Sequence, residues 1–255
     1  MRVDQLLVER GLASSRAQAQ RLIGAGVRWR DGGEWKTVGK NRDEVPAGAE
    51  LQLLDEAEAR YVSRGGLKLE GALKSSGLDV AGKHCLDVGQ STGGFTDCLL
   101  QQGAAHVVGV DVGQGQVHPH VRDDGRVTCI EKLNARDMTA TDLIAESGDG
   151  DWTRGTFDLI VGDLSFISQT LVLPALVPLL EGGGAILMLV KPQFELQPGQ
   201  VGKGGIVRDE ALYAVVEQRI RECYASLGLT VRGWYDSAIT GGDGNREFFV
   251  YATKQ

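Results

Sequence analysis

Four cysteines stand in this 255-residue chain, Cys85, Cys98, Cys129 and Cys223, and none is in a C-x-x-C spacing. That excludes a disulfide framework or a zinc ribbon and reads as reduced thiols of a cytoplasmic protein. His118-Pro119-His120 has no neighbours at ligand spacing, so no metal is expected and the segment reads as an exposed turn. Long apolar runs are missing. The stretch Ala185 to Val190 is strand-sized, well short of the ~18 residues of a spanning helix. Met1-Arg2-Val3-Asp4 opens an amphipathic segment without the apolar core of a signal peptide, so no membrane is expected. An excess of positive charge is missing too: the net charge is −7, which excludes a general nucleic-acid coat. The charge is uneven, however. Residues 1–30 carry six arginines against Asp4 and Glu9, a local +4, and such asymmetry points to a local nucleic-acid contact.

What the chain does have, 42% hydrophobic and 24% charged residues, suits a soluble globular protein of one or two domains. The organising stretch is His84 to Asp97, HCLDVGQSTGGFTD. It predicts a strand, a Gly-rich turn and a helix, the opening unit of a doubly wound sheet, where ligands sit beyond the strand ends. Gly89 permits a sharp turn, and Gly93 and Gly94 permit close backbone approach and free amides at a helix start. The dinucleotide fingerprint G-x-G-x-x-G is absent. A second strand ends at Asp111, 22 residues after Gly89, where a carboxylate accepts ribose hydroxyls. A nucleoside without a pyrophosphate fits both features. D-x-G-x-x-x-G-G followed by a strand-end acid resembles the S-adenosylmethionine site of class I methyltransferases. That resemblance puts Asp87, Gly89, Ser91, Gly93, Gly94, Phe95, Asp111, Val112, Asn134 and Ala135 at cofactor positions, with Asn134 toward the adenine.

At the N-terminus, Val3, Leu6, Leu7 and Leu12 have helical spacing, and Gly11 stops that helix. Ser14 is placed to cap a second helix in which Ala17, Leu22 and Ile23 are apolar and Arg16 and Arg21 point outward. Strand-like pieces follow at Val27-Arg28-Trp29, Lys36-Thr37-Val38, Pro46-Ala47-Gly48 and Ala49–Leu54. The pattern L-L-V-E-R-G-L-A-S-S-R-x-x-A-x-x-L-I-x-x-G-x-V resembles the S4 RNA-binding domain, which implies recognition of RNA shape and phosphate through Arg2, Arg16, Arg21, Arg28 and Arg64. Gln18 and Gln20 are neutral where many relatives are basic, which thins that face. The expected division is an S4-like domain at 1–58, a linker at 59–65 and a catalytic domain at 66–255. The charged, Ala-rich run 55–60 suits the linker.

From Lys83 onward strands and helices alternate. Strands are expected at 84–88, 107–111, 127–131, 158–162, 185–190, 229–235 and 246–252, and helices at 66–76, 93–102, 139–147, 168–181 and 209–227. The last two strands close the sheet as an antiparallel addition, giving an α/β fold with a mostly parallel seven-stranded, Rossmann-like sheet. Pro174 and Pro178 interrupt the helix at 168–181.

Three polar residues follow predicted strand ends or open the last strand: Asp163, Lys191 and Glu247. Lys68 stands in the first turn of a helix, where the macrodipole opposes a cation, so a functional role is the better reason for it. Two lysines and two carboxylates suit methylation of a ribose 2′-hydroxyl, a weak nucleophile that must lose a proton. Lys191, crowded by Lys68, would act as base or steer the oxygen, and Asp163 and Glu247 would orient the two ammonium groups.

Taken in order, the S4-like start, VSRGGLK at 62–68, DVGQSTGGFTD at 87–97, DLSF at 163–166, KPQFE at 191–195, GKGGIVRD at 202–209 and GNRE at 244–247 resemble the TlyA family, an S4 domain joined to an FtsJ-like methyltransferase. The resemblance covers nearly the whole chain. It implies S-adenosylmethionine-dependent 2′-O-methylation of cytidine in ribosomal RNA, alone or in ribosomal subunits, with Lys68, Asp163, Lys191 and Glu247 as catalytic tetrad. Family members have also been called haemolysins, but no pore-forming element is evident. A non-catalytic RNA-binding module stays open as an alternative. A base methyltransferase would show an Asn/Asp-Pro-Pro-Tyr-like motif at the fourth strand, where DLSF stands. The Gly-rich loop 198–205 is expected to be mobile and to close over the target nucleotide.

Overall fold

A computed structural model describes residues 1–13, 15–54, 59–146 and 155–255. The chain forms two compact units, Met1–Leu67 and Lys68–Gln255.

In the first unit, helices α1 (Val3–Glu9) and α2 (Arg16–Gly26) precede an antiparallel sheet of β1 (Val27–Arg30), β2 (Lys36–Thr37) and β3 (Glu50–Leu53), with β1 in the centre. The helices present Val3, Leu6, Leu7, Ala19, Leu22 and Ile23 to one core with Val27. Ala17, expected in that core, is exposed. Ser15 caps α2, its hydroxyl accepting the Gln18 amide at 3.2 Å. Ser14, the expected cap, lies outside the described residues, as do positions 55–58 of the expected linker. Residues 46–48 form no strand: the Ala49 amide donates to the Pro46 carbonyl at 3.0 Å, closing a turn.

The second unit holds a seven-stranded sheet in the order β6-β5-β4-β7-β8-β10-β9. Its strands are β4 (His84–Val88), β5 (His106–Asp111), β6 (Val127–Glu131), β7 (Phe157–Gly162), β8 (Leu180–Val190), β9 (Leu229–Asp236) and β10 (Phe248–Lys254). The five strands β4 to β8 are mutually parallel, and their apolar runs are buried on both faces as such sheets require. Strand β10 inserts antiparallel between β8 and β9, with Phe248 opposite Val190. The start of β10 therefore lies at the edge where the parallel strands end. The helices are α3 (Gly65–Ser76), α4 (Gly94–Gln101), α5 (Pro119–Arg122), α6 (Ala140–Glu146), α7 (Leu173–Leu176), α8 (Pro192–Glu195) and α9 (Ala211–Ser226).

Two further expectations need correction. Residues 168–181 are not one helix: a 3-10 turn at Gln169–Leu171, α7, and a second 3-10 turn at Val177–Leu179 break at the prolines, and β8 already starts at Leu180. The segment His118–His120 is more than an exposed turn. His118 Nδ1 accepts the His120 amide at 3.2 Å and caps α5. Position 147, the expected end of α6, lies outside the described residues. Among the described residues no helix is long and apolar enough to cross a membrane.

Candidate active site

The β4–α4 turn shows why glycine stands at 89. Its φ is +85°, and a Cβ there would come within 2.8 Å of the Asp163 carbonyl oxygen. The turn therefore packs directly against the chain leaving β7. Asp111 then ties two loops together: Oδ2 accepts the Ser91 amide at 2.7 Å, and Oδ1 accepts the Gly113 amide at 2.7 Å. These strand ends surround a cavity of about 380 Å³, lined by Gly89, Ser91, Asp111, Val112, Leu133, Asn134 and Ala135 on one side and by Asp163–Ile167 and Val172 on the other. A volume of this order suits a nucleoside-sized ligand. The donor set fits one too: a strand-end carboxylate for a diol, an Asn amide, and apolar walls for a flat base.

The remaining expected cofactor residues, Asp87, Gly93, Gly94 and Phe95, are not on this lining. Asp87 is fully buried beneath the turn. It accepts from Thr96 Oγ1 at 2.7 Å, Gln90 Nε2 donates to Thr96 in turn, and Asp87 Oδ1 has no partner among the described residues. Burial pushes its carboxyl up to about 7, aided by the charges of Asp163 and Asp111 and opposed by Thr96. Gly93 caps α4 in the left-handed region, and its bare Cα faces Val121. Gly94 is buried, and Phe95 stacks on Phe249 with ring centroids 6.0 Å apart.

Beside the cavity the four charged residues form two ion pairs. Lys68 Nζ donates to Glu247 Oε2 at 2.5 Å, and the two side chains are only 6% and 2% exposed. Lys191 Nζ lies 2.5 Å from Asp163 Oδ1 and donates to Ser165 Oγ at 2.8 Å. The Lys191–Asp163 contact is a charge pair without hydrogen-bond geometry. The expected crowding of one lysine by the other is thus resolved by giving each its own carboxylate. Burial pushes the Glu247 carboxyl up while Lys68 draws it down, and the charges of Lys191 and Asp163 also reach it, so all four belong to one electrostatic cluster.

Sequence reasoning assigned no role to Ser165 or Phe166. Phe166 is 91% exposed with φ +64°, on the cavity lining and 5.2 Å, centroid to centroid, from Phe194. A bulky residue in the left-handed region is strained, and an aromatic ring held out into solvent gains nothing in the core. Proximity to Asp163 in the DLSF run was its available signal.

Beyond the tetrad, Asn245 ties the Gly-rich loop to the start of β10: Oδ1 accepts the Val207 amide at 2.9 Å, and Nδ2 donates to the Gly205 carbonyl at 2.8 Å. Among the described residues no group of three or more His, Cys, Asp or Glu is placed to hold a metal ion.

In the first unit, Asp4 is buried and receives both Arg2, at 2.7 Å, and Arg16, at 3.2 Å. The hydrogen bond from Arg2 holds its carboxyl low against burial. Arg16, expected to point outward, is thus partly neutralised. Arg28 is exposed, while Arg21 and Arg64 are half-buried. Gln18 is no thinned basic position. It is 3% exposed and donates to the Tyr61 carbonyl at 3.1 Å, a structural place that a lysine's charge would disrupt.

A nucleoside-sized cavity at the strand ends of this sheet, with an antiparallel β10 beside β8, defines a class I methyltransferase. Residues 61–254 match the FtsJ-like methyltransferase family and residues 1–26 the S4 domain; the chain belongs to the FtsJ-like methyltransferase family and carries an S4 domain. It is 44% identical to the 16S/23S rRNA (cytidine-2'-O)-methyltransferase TlyA of Mycobacterium tuberculosis, over 100% of this chain and 90% of the relative. It is 35% identical to Hemolysin A of Brachyspira hyodysenteriae, over 98% and 99%. A solved hemolysin-named structure from Streptococcus thermophilus is 39% identical, covers 100% of this chain and 88% of its own, and superposes with a TM-score of 0.75.

Proposed function

We propose that this protein transfers a methyl group from S-adenosylmethionine to a ribose 2′-hydroxyl, of cytidine, in ribosomal RNA. The observation that carries the reading is the pair of lysine–carboxylate contacts, Lys191–Asp163 and Lys68–Glu247, beside a nucleoside-sized cavity. Similarity to cytidine 2′-O-methyltransferases and the S4 domain support the substrate class.

When bound, S-adenosylmethionine supplies an electrophilic methyl on a sulfonium. Asp111 would hold the ribose diol, and Asn134, Leu133 and Ala135 the adenine. An ammonium has three donors. Lys191 gives one to Ser165 and keeps donors to orient the incoming 2′-oxygen. Asp163, paired in charge with Lys191, would hold that ammonium in place while the hydroxyl's proton passes to water as the oxygen attacks the methyl. Lys68 and Glu247 hold the neighbouring charge in place. Phe166 offers a ring for the target base to stack on, as enzymes acting on extruded nucleotides require. The S4 unit, through Arg28 and the arginines around Asp4, supplies phosphate contacts.

The test is label transfer from radiolabelled S-adenosylmethionine to undermethylated 30S and 50S subunits and to naked rRNA, with Lys191→Ala as control. Label in RNA for the wild type alone, mapping to an alkali-resistant linkage, is expected. Label on a base, or none on any substrate, refutes the reading.

A further inference from the structure

Just past the tetrad lies a buried carboxylate that the mechanism above does not use. Glu195 ends the single turn of α8, four residues after Lys191, and is 4% exposed. Its Oε2 accepts from Ser168 Oγ, and its Oε1 accepts the Gln169 amide at 2.9 Å. Ser168 and Gln169 belong to the segment leaving β7, five and six residues after Asp163. The same knot reaches α9. Tyr224, fully buried, donates to Gln169 Oε1 at 2.9 Å, and Arg219 donates to the Glu195 main-chain carbonyl.

Burying a carboxylate is costly unless it is bonded on both oxygens, and here both bonds come from one neighbouring segment. That segment carries Asp163, Ser165 and Phe166; the segment of Glu195 carries Lys191. A packed core would join two loops more cheaply with apolar side chains. A charged clamp instead fixes distance and direction.

We propose that Glu195 is a positioning residue, clamping the chain after β7 to the chain after β8 so that Asp163 and Ser165 meet Lys191. This rests on the reading of Lys191 and Asp163 as the transfer site. Glu195 itself touches neither the cavity nor the ion pairs.

The experiment compares Glu195→Ala, Glu195→Gln and Ser168→Ala with the wild type in the label-transfer assay, with hydrogen exchange read over residues 163–171. Glutamine keeps the clamp, since its oxygen accepts the Gln169 amide and its nitrogen donates to Ser168 Oγ. Glu195→Ala should lower kcat about 10- to 100-fold, the scale of a small misplacement, with KM for S-adenosylmethionine and RNA within about threefold. It should also raise exchange at Gln169. Glu195→Gln should restore kcat to within about threefold of the wild type. Ser168→Ala should lower kcat in the same direction by less, and it serves as the test if Glu195→Ala does not fold. An unchanged kcat, a loss carried by KM, or a glutamine variant as impaired as alanine overturns the proposal. A wild type that labels no RNA refutes the underlying function instead.

Discussion

Lys191 and Asp163 stand at the ends of adjacent strands, β8 and β7, with Nζ and Oδ1 2.5 Å apart. Neither is at the end of a long flexible loop: each is the first residue after its strand. The sheet therefore sets where the two backbones leave their strands, and removal of Lys191 should touch chemistry far more than binding. Lys191→Ala should reduce methyl transfer by about 10²- to 10⁴-fold while leaving cofactor affinity within a few-fold. Calorimetric titration beside the label-transfer assay separates the two. A parallel loss of binding would show that Lys191 shapes the cavity instead.

Asp111 is spent twice on backbone amides and still faces the cavity. Asp111→Ala should weaken S-adenosylmethionine binding by about 10- to 100-fold, the worth of charge-assisted hydrogen bonds. Unchanged affinity by calorimetry would remove it from the site.

Phe166 can be tested against its own strain. Glycine is at ease at φ +64°, so Phe166→Gly should leave thermal stability equal or higher while lowering kcat/KM for RNA about tenfold, as loss of one base–aromatic stack does. Lower stability with full activity would make the ring structural.

The buried Asp87 gives stability a pH dependence. Its carboxyl, pushed up to about 7, holds its proton more tightly in the fold than in the unfolded chain. The contribution is fully present below pH ~4 and is lost as pH rises toward 7, at up to about 1.4 kcal/mol per unit. Denaturant melts between pH 5 and 8 should show this slope in the wild type and a flatter one in Asp87→Asn. Equal slopes would assign the effect elsewhere.

Asp4 holds two arginines that would otherwise face phosphate. Asp4→Asn should release them and steepen the salt dependence of RNA binding by about 1 in log–log slope, measurable by filter binding from low to moderate salt. An unaltered slope would show that RNA already pulls Arg2 and Arg16 away from the carboxylate.

The sheet was legible because buried parallel strands leave continuous apolar runs: Leu159-Ile160-Val161 and Ile186 to Val190 could be little else. The positions of Asp163, Lys191 and Glu247 followed from where those runs stop. Which lysine pairs with which carboxylate did not follow, because it depends on the register of β10 against β8 and on where α3 delivers Lys68. Gln18 and Ser168 were opaque for a similar reason. Gln18 reaches Tyr61 and Ser168 reaches Glu195 across dozens of residues, and no local spacing announces such a bond. The misread helix at 168–181 failed for a local reason that was visible: two prolines four apart outweigh an apolar period.

The insertion of β10 between β8 and β9 has a consequence for synthesis. Strand β9 emerges before β10 and has no neighbour to pair with until β10 arrives. Glu247 is the residue that leads β10 into its slot. The gap in the sheet and the gap in the charge cluster are thus filled by one event, the arrival of β10. A chain ended by a premature stop anywhere before that point keeps an edge strand without a partner and Lys68 without its counter-ion. Such a product is a candidate for degradation rather than a slow enzyme, so active copies report a finished fold.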